Sequence, residues 1–379
     1  MASYAQLVDG LHADGLLADR WREVFLATPR AGFVPDTVWV PEGDGYREVD
    51  RRRAPRKWER LVNSRAVLIT QLDDGQPNGP QAPTSSSSMP AVVAEMLQVA
   101  DVRPGMRVLE AGGGTGWTAA LTCRMTGDGS LTTVEVDTDL AGQCAKNLAA
   151  AGLPARVVHG DAVAGYPPAA PYDRLSSTVA VRSIPPAWLA QVRPGGTITT
   201  PFHTPFAPFG LLQLTVAADG RAASGRFCGG VSFMWLRSQR PDNQAHGRID
   251  KNTRRVSHAP QPPKWLADET GAWLGAGLHH PELSFGRHWS PQDPQDTYRV
   301  RISDRRGSLA VAFCHEPWTV LQYGPRSLWD ETAAPALVWW DAHGRPGITR
   351  YGITVHPDGT HHAWLDDPRS QTWQLVTPR

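Results

Sequence analysis

The sequence has few cysteines, and their spacing differs from that of metal-binding or disulfide-rich proteins. The 379 residues include four cysteines: Cys123, Cys144, Cys228 and Cys314. No two of them form a CxxC pair, which argues against a zinc knuckle and a disulfide framework. The histidine pairs at 279–280 and 361–362 have no HExxH or comparable spacing around them. We therefore predict no metal site.

The sequence also has almost no net charge and no long apolar run. It contains 38 basic and 37 acidic residues, for a formal charge of +1, so no overall attraction to nucleic acid is expected. The apolar segments are interrupted, and residues 1–21 carry acids where a signal peptide would carry bases. We expect a cytoplasmic protein with neither nucleic acid nor a membrane as partner. The sequence contains no signal for an oligomeric state.

Hydrophobic spacing gives a first division into helices and loops. Apolar residues at helical intervals predict one helix over residues 5–28 and another over 90–99. Residues 41–60 are polar and rich in arginine, and residues 73–83 are rich in Pro, Gly and Asn, so both segments are predicted to be loops. The basic run in 41–60 is typical of a solvated surface, and the alternative is a contact for an acidic peptide.

The clearest local pattern is a short apolar strand over residues 107–110, followed by a glycine-rich turn and a helix rich in Ala and Leu. This order is typical of the first βα unit in a nucleotide-binding α/β sheet. Gly112, Gly114 and Gly116 allow a tight turn and a close approach to a ligand, and the following helix offers unpaired amides.

A second strand ends in Glu135, about twenty residues beyond these glycines, where a carboxylate can bind the hydroxyls of a ribose. The glycine turn also satisfies the GxGxxA pattern of dinucleotide-binding proteins. Taken alone, the turn and the acid fit NAD and S-adenosylmethionine equally well.

Six short motifs occur in a fixed order along the chain. They are EAGGGTG at 110–116, VE at 134–135, GD at 160–161, APYDR at 170–174, IP at 184–185 and QVRPGGTITTP at 191–201. Together they resemble the protein-L-isoaspartate O-methyltransferases. Residues 28–35 and 88–96 are similar to segments upstream of the family's glycine turn, and residues 231–238 resemble the closing strand of its sheet. The resemblance covers residues 5–238.

This resemblance implies an α/β fold with the doubly wound, Rossmann-like sheet of class I methyltransferases, and S-adenosyl-L-methionine as cofactor. It assigns Glu135 to the ribose and Asp161 to the adenine amino group. Asp161 has a structural alternative as a helix N-cap, and Glu110 has one as a satisfied polar group at a strand end. The cofactor-binding residues it implies are Glu110, Gly112, Gly113, Gly114, Thr115, Gly116, Glu135, Val136, Gly160, Asp161 and Ala162.

Four consecutive serines precede the helix predicted over residues 90–99. A serine run alone is typical of a flexible linker, but the resemblance places Ser88 on the family's active-site hydroxyl. Ser85, Ser86 and Ser87 are then further candidate catalytic residues. A carboxylate is already ionised at neutral pH, so attack on a sulfonium methyl group needs alignment and no general base.

Residues 239–379 lie beyond the minimal methyltransferase domain of residues 1–238. An amphipathic helix near 263–274 and alternating strands, including an Asp-Gly turn within 351–365, predict a small α+β domain. We expect this extension to recognise a peptide substrate.

The four serines together with the extension resemble the branch of this family found with ribosomally made, modified peptides of the lanthipeptide and graspetide kind. That resemblance implies methylation of an aspartate in a macrocyclic precursor peptide, followed by formation of an aspartimide, which is either the stable product or opens to isoaspartate. Three alternatives are a general isoaspartate repair methyltransferase, an NAD-dependent oxidoreductase, and a non-catalytic peptide-binding protein on the same fold.

Overall fold

The computed structural model describes residues 3–43, 45–127, 130–241, 249–289 and 298–375. The α-helices in these ranges are α1 (Tyr4–Ala13), α2 (Asp19–Leu26), α3 (Pro55–Val62), α4 (Pro90–Ala100), α5 (Trp117–Thr126), α6 (Thr138–Ala150), α7 (Pro186–Gln191), α8 (Lys264–Asp268), α9 (Thr270–His279) and α10 (Ala334–Ala342). None of the described helices is long and apolar enough to cross a membrane.

The strands of the first half are β1 (Thr37–Glu42), β2 (Gly45–Asp50), β3 (Leu68–Leu72), β4 (Pro83–Ser87), β5 (Val108–Ala111), β6 (Leu131–Glu135), β7 (Arg156–His159), β8 (Tyr172–Ser177), β9 (Val192–Pro201), β10 (Leu211–Val216) and β11 (Ala223–Gly229). Those that follow are β12 (Arg255–His258), β13 (Ser284–Trp289), β14 (Tyr298–Ser303), β15 (Leu309–Phe313), β16 (Thr319–Tyr323), β17 (Tyr351–Val355), β18 (His361–Leu365) and β19 (Thr372–Gln374).

The first predicted helix is two helices, so the prediction of one helix over residues 5–28 is wrong. Helix α1 ends where Gly15 adopts a φ of +73°, a left-handed conformation that commonly terminates helices. Leu11 of α1 and Trp21 of α2 are buried in the same core cluster. The apolar spacing was compatible with one helix because both helices bury one face against the same core.

Residues 41–60 are ordered as strand and helix, and the prediction of a loop there is wrong. Strands β1 and β2 pair antiparallel, and α3 buries Trp58 and Val62. The segment has few apolar residues because β1, β2 and α3 each bury only one face. Strands β1 to β4 form a separate sheet in the order β2-β1-β3-β4, which places the serine-bearing strand β4 at its edge.

The main sheet has ten strands in the order β19-β18-β17-β11-β10-β9-β8-β5-β6-β7. Strands β5 to β9 pair in parallel, and β10 and β11 continue antiparallel. Every residue of β5 is buried, because both faces of this part of the sheet are covered. Leu109 packs in a core with Trp188 of α7, and Val108 packs in the opposite core with Leu97 of α4. The predicted doubly wound α/β fold is confirmed.

The C-terminal residues contribute to two sheets. Strands β12 to β16 form a five-stranded antiparallel sheet in the order β12-β16-β15-β14-β13, backed by a core that includes Leu266 and Trp329. The predicted hairpin within 351–365 is formed by β17 and β18. It joins the main sheet, because β17 pairs with β11. An additional C-terminal α+β region is therefore present, but the boundary predicted after Ser238 is crossed by strand pairing.

Residues 231–238 were expected to form the closing strand of the main sheet, and that expectation is wrong. Apart from one isolated bridge between Trp235 and Ala180, this segment has no strand pairing to the described residues. Strand β10 lies beside β9 in the main sheet, and β11 lies beside β10. The segment is thereby left along the side of a cavity.

Candidate active site

A cavity of about 500 Å³ lies where the main sheet meets the edge strand β4. Its sides are formed by residues 85–88, 112–115, 134–136, 178–179 and 232–237. The glycine turn and the serine segment, which are separated by the whole of α4, therefore face the same space. In open α/β sheets, ligands bind beyond the carboxyl ends of the parallel strands, and this cavity has that position.

The glycine turn requires its glycines for two separate reasons. Gly112 and Gly116 have φ values of +94° and +83°, a region that other residues rarely adopt. A Cβ at Gly112 would lie 2.7 Å from Thr178 Oγ1, and one at Gly116 would lie 3.0 Å from Cys144 Sγ. Gly114 instead leaves room toward the serines, because its Cβ would approach Ser85 Oγ only to 3.8 Å.

The predicted ribose-binding acid, Glu135, is tied to the glycine turn. Its carboxylate accepts hydrogen bonds from the Gly114 amide at 2.8 Å and from the Asp137 amide at 3.0 Å. A carboxylate offers about four acceptor positions, so two remain for ligand hydroxyls. Val136, next in the chain, also lines the cavity. The acid can thus fix the turn and bind a ribose at the same time.

Glu110 lies inside β5 and is not among the described residues that line the cavity. Both of its carboxylate oxygens lack a hydrogen-bond partner, as do the buried hydroxyls of Thr133 and Ser176 on the neighbouring strands. Burial, with a smaller contribution from the nearby Glu135, raises the pKa of Glu110 to about 8. The alternative of a satisfied polar group is therefore not met within the described residues, and the role of Glu110 in binding the cofactor stays a prediction.

The predicted adenine-binding segment is only partly in the cavity. Ala162 lines it, whereas Asp161 accepts a hydrogen bond from the Val163 amide at 2.9 Å and caps the short 3-10 helix Ala162–Ala164. The Gly160 amide donates to the Glu135 carbonyl at 2.9 Å, which ties this segment to the end of β6. The cap uses one oxygen of Asp161, so the role in binding adenine stays a prediction.

Strand geometry divides the four serines into two pairs. Ser85 Oγ accepts a hydrogen bond from Thr70 Oγ1 at 3.0 Å, and Ser87 Oγ accepts one from Arg30 Nε at 2.9 Å. The hydroxyls of Ser86 and Ser88 have no hydrogen-bond partner among the residues that the structure describes. All four serines line the cavity. Accepting one bond leaves the hydroxyl hydrogens of Ser85 and Ser87 available as donors, but these two side chains are buried and held in place, whereas Ser86 and Ser88 are partly exposed.

A cluster of charged side chains that no sequence motif indicated borders the cavity. Asp74, in the turn between β3 and β4, pairs with Arg240 at 2.7 Å and with Arg237 at 3.1 Å. Arg237 also contacts Asp137 at 3.3 Å. This ionic cluster joins the sheet that carries the serines to the segment after residue 236. It could not be found from sequence because its partners are far apart in the chain.

Within the described ranges, no group of three or more His, Cys, Asp or Glu side chains is placed to hold a metal ion. The cavity instead combines backbone amides, one carboxylate and the hydroxyls of the serine segment. Such an arrangement can bind a ribose-containing cofactor at the glycine turn and orient an anionic group at the serines.

Comparisons with known proteins agree with this geometry. The family profile described as protein-L-isoaspartate(D-aspartate) O-methyltransferase matches residues 61–238. The protein-L-isoaspartate O-methyltransferase of Thermococcus sibiricus is 30% identical over 236 residues, which are 62% of this chain and 92% of that relative. The one from Pyrococcus horikoshii is 36% identical over 150 residues, or 39% of this chain and 67% of that relative.

A solved protein-L-isoaspartate O-methyltransferase has the same fold, with a TM-score of 0.55 at 19% identity. The match spans 96% of this chain and all of the solved one, so the likeness in fold extends into the C-terminal region. From the family profile and the near full-length match to a relative, the chain belongs to the protein-L-isoaspartate O-methyltransferase family.

Proposed function

We propose that this chain is a carboxyl O-methyltransferase that uses S-adenosyl-L-methionine to methylate L-isoaspartyl residues in peptides. The single observation that carries the proposal is the shared cavity of the glycine turn and the serine segment. The names of the relatives support isoaspartate as the group methylated.

The residues present fit S-adenosyl-L-methionine, the cofactor of this family. Gly112 and Gly116 leave no room for side chains, and Glu135 retains free acceptor positions beside the turn. When bound, the cofactor supplies an electrophilic methyl group on a sulfonium. Gly112–Thr115 and Glu135 would hold it on one side of the cavity.

The serine segment would bind the carboxylate that receives the methyl group. Ser86 and Ser88 can each donate a hydroxyl hydrogen bond to a carboxylate oxygen without adding a formal charge next to it. That arrangement orients the oxygen while keeping it nucleophilic. No general base is required, because the carboxylate is ionised at neutral pH. The main contribution of the protein is alignment and the exclusion of water.

The test compares two synthetic peptides that differ only in having isoaspartate or aspartate at one position. Each is incubated with the full-length protein and S-adenosyl-L-methionine, and mass spectrometry follows methyl ester formation. We expect the isoaspartyl peptide to be methylated. Methylation of neither peptide would overturn the proposed activity, and a matched sample without the cofactor is the control.

A more specialised candidate is methylation of an aspartate in a macrocyclic precursor peptide, leading through an aspartimide to isoaspartate. The observation in its favour is a half-buried aromatic surface in the C-terminal region. The ring of Trp339 stacks on that of His343, and the ring of Trp373 on that of His279, each pair with centroids 4.2 Å apart. Partly exposed aromatic rings suit peptide contacts. The extension itself does not favour this candidate, because the solved methyltransferase also matches across 96% of this chain.

The two substrate classes give different products in one assay. A linear and a macrocyclised form of the same aspartyl peptide are supplied together with the isoaspartyl peptide. Methylation confined to the macrocycle, followed by loss of methanol, would support the specialised candidate. Methylation of several unrelated isoaspartyl peptides at comparable rates would support the general one. Peptide binding without any methyl transfer would indicate a non-catalytic protein on this fold.

A further inference from the structure

Arg30 lies fully buried directly behind the serine segment. Its side chain is 0% exposed, in the short 3-10 helix Arg30–Gly32 that follows α2. The guanidinium donates to the Ser87 carbonyl at 2.8 Å and to the Ser88 carbonyl at 3.0 Å. It also donates to Ser87 Oγ at 2.9 Å and to the Ala66 carbonyl at 3.0 Å. One side chain therefore fixes the backbone of the two residues that end the serine run.

This buried charge has no carboxylate partner among the described residues. Burial lowers the pKa of Arg30 to about 10, which leaves the guanidinium charged at neutral pH. Its other neighbours are neutral. They are the carbonyls named above and that of Ser64, the phenol of Tyr4, whose pKa burial raises, and the ring of Trp117, with its centroid 5.7 Å from the guanidinium carbon. Buried charges in proteins are usually paired with an opposite charge, so the missing anion requires an explanation.

The carbonyls that Arg30 binds connect it to the cavity. The Ser87 carbonyl belongs to the same peptide group as the Ser88 amide, and the Ser88 carbonyl to the same group as the Met89 amide. A cation on a carbonyl oxygen polarises its peptide group and strengthens the N–H as a donor. Ser87, Ser88 and Met89 all line the cavity, whereas Arg30 does not touch it.

We propose that Arg30 is a positioning residue whose buried charge is complemented by the carboxylate of the peptide substrate. It holds the backbone of Ser87 and Ser88 in place and makes this side of the cavity electropositive. A low-dielectric surrounding strengthens such a field where the carboxylate binds. The inference depends on the proposed function, because it requires a carboxylate substrate at the serine segment.

The test separates charge recognition from simple support of the fold. Two peptides of one sequence carry either isoaspartate or isoasparagine, which differ in charge and hardly in shape. Their affinities are measured by calorimetry for the wild type, Arg30→Gln and Arg30→Lys, with S-adenosyl-L-homocysteine present. Arg65→Gln is the matched control, since it also removes one arginine but an exposed one.

We expect Arg30→Gln to lower the affinity for the isoaspartyl peptide about tenfold and that for the isoasparaginyl peptide less than about twofold. Arg30→Lys should retain most of the preference for the charged peptide while slowing methyl transfer, because it keeps the charge but loses the forked donors. The control should behave as the wild type. An equal loss for both peptides in Arg30→Gln would overturn the proposal, since a purely structural role predicts that result.

Circular dichroism and cofactor affinity show whether each variant is folded. Ser87→Ala serves as the second variant: it removes the acceptor of Arg30 Nε together with a hydroxyl that lines the cavity, and it keeps the charge of Arg30. We expect slower transfer, unchanged cofactor affinity and a retained preference for the isoaspartyl over the isoasparaginyl peptide. If Arg30→Gln does not fold and Ser87→Ala transfers methyl groups at the wild-type rate, the proposal is also overturned. Failure of the proposed function has a different signature: the wild type itself would not methylate the isoaspartyl peptide.

Discussion

The two sides of the cavity are built in different ways. The glycine side comes from one continuous βαβ unit, β5–α5–β6, and its acid, Glu135 at the end of β6, accepts a hydrogen bond from the Gly114 amide of the same unit. The serine side is assembled from distant segments, with Arg30 reaching Ser87 across 57 positions of the sequence. The cofactor side therefore depends mainly on local backbone geometry, whereas the substrate side depends on buried polar contacts over long sequence distances.

Among the variants that test this difference between the two sides, Ser88→Ala should have the largest effect. Ser88→Ala should slow methyl transfer by about ten- to a thousandfold, the cost of losing one aligned donor in a site without bulk water. Cofactor affinity should stay nearly unchanged, because the glycine side is not altered. Single-turnover rates at saturating cofactor measure the effect.

Alanine variants of the other serines should slow methyl transfer less than Ser88→Ala does. Ser86→Ala should have a smaller effect of the same kind. Ser85→Ala should have less effect on transfer, because the Ser85 side chain is buried and its oxygen accepts a hydrogen bond from Thr70. Wild-type rates in all four alanine variants would remove the serine segment from the active site.

Gly112→Ala should damage the cofactor side instead. The new Cβ would meet Thr178 Oγ1 at 2.7 Å in a backbone with φ of +94°. We expect cofactor binding to weaken by about 1 to 3 kcal/mol from backbone strain alone, as measured by calorimetric titration. Gly142→Ala is the control, because this helical glycine has no heavy atom within 4 Å of a new Cβ. Equal cofactor affinity in the two variants would contradict the steric argument.

Glu110 should make stability depend on pH. Its pKa in the folded protein is about 8, above its ordinary value of 4.5, so the folded state retains a proton that the unfolded state releases. The resulting stabilisation is complete below pH 4.5 and is lost as pH rises toward 8.

Urea unfolding of wild type and Glu110→Gln at several pH values tests this expectation. Between about pH 5 and pH 8, the free energy of unfolding should fall by at least about 1 kcal/mol more in the wild type. Parallel pH profiles for the two proteins would show that Glu110 is ionised in the fold.

The smallest effect is expected from the ionic cluster that joins the two sides. Asp74→Asn removes pairs with Arg240 and Arg237 and should destabilise the protein by less than about 1 kcal/mol. The difference should shrink at high salt. The hydrogen bond from Arg240 lowers the pKa of Asp74 below 3.8, so its contribution is present above that pH and is lost as pH falls through the lowered value.

Asp14→Asn provides the control for Asp74→Asn, since it breaks an exposed pair with Arg65 away from the cavity. We expect faster cofactor dissociation in Asp74→Asn alone, because only that cluster borders the cavity. Equal dissociation rates in the two variants would show that the cluster is merely a surface feature.

Elements whose structure is determined by neighbouring residues were predicted correctly from the sequence. Elements whose structure depends on packing against distant residues were not. Helix α4 was predicted over 90–99 and spans Pro90–Ala100, because a proline at its first turn and a continuous apolar pattern mark it. Residues 41–60 were predicted as a loop because they contain few apolar residues, although Trp58 and Val62 are enough to give α3 a buried face. Residues 28–35, which contain Arg30, resembled a family segment, but that resemblance did not indicate the partners of Arg30, which are mostly backbone carbonyls of distant residues.

The sequence by itself determined the parallel core of the sheet and the glycine turn, because strand patterning and left-handed backbone conformations are properties of neighbouring residues. Only the tertiary structure decided that β17 joins the main sheet beside β11, that Ser85 and Ser87 are buried while Ser86 and Ser88 are partly exposed, and that Arg30 is buried behind them. Those features arise from contacts between segments that meet only when the cores close, and the chain carries no nearby residue pattern that specifies them.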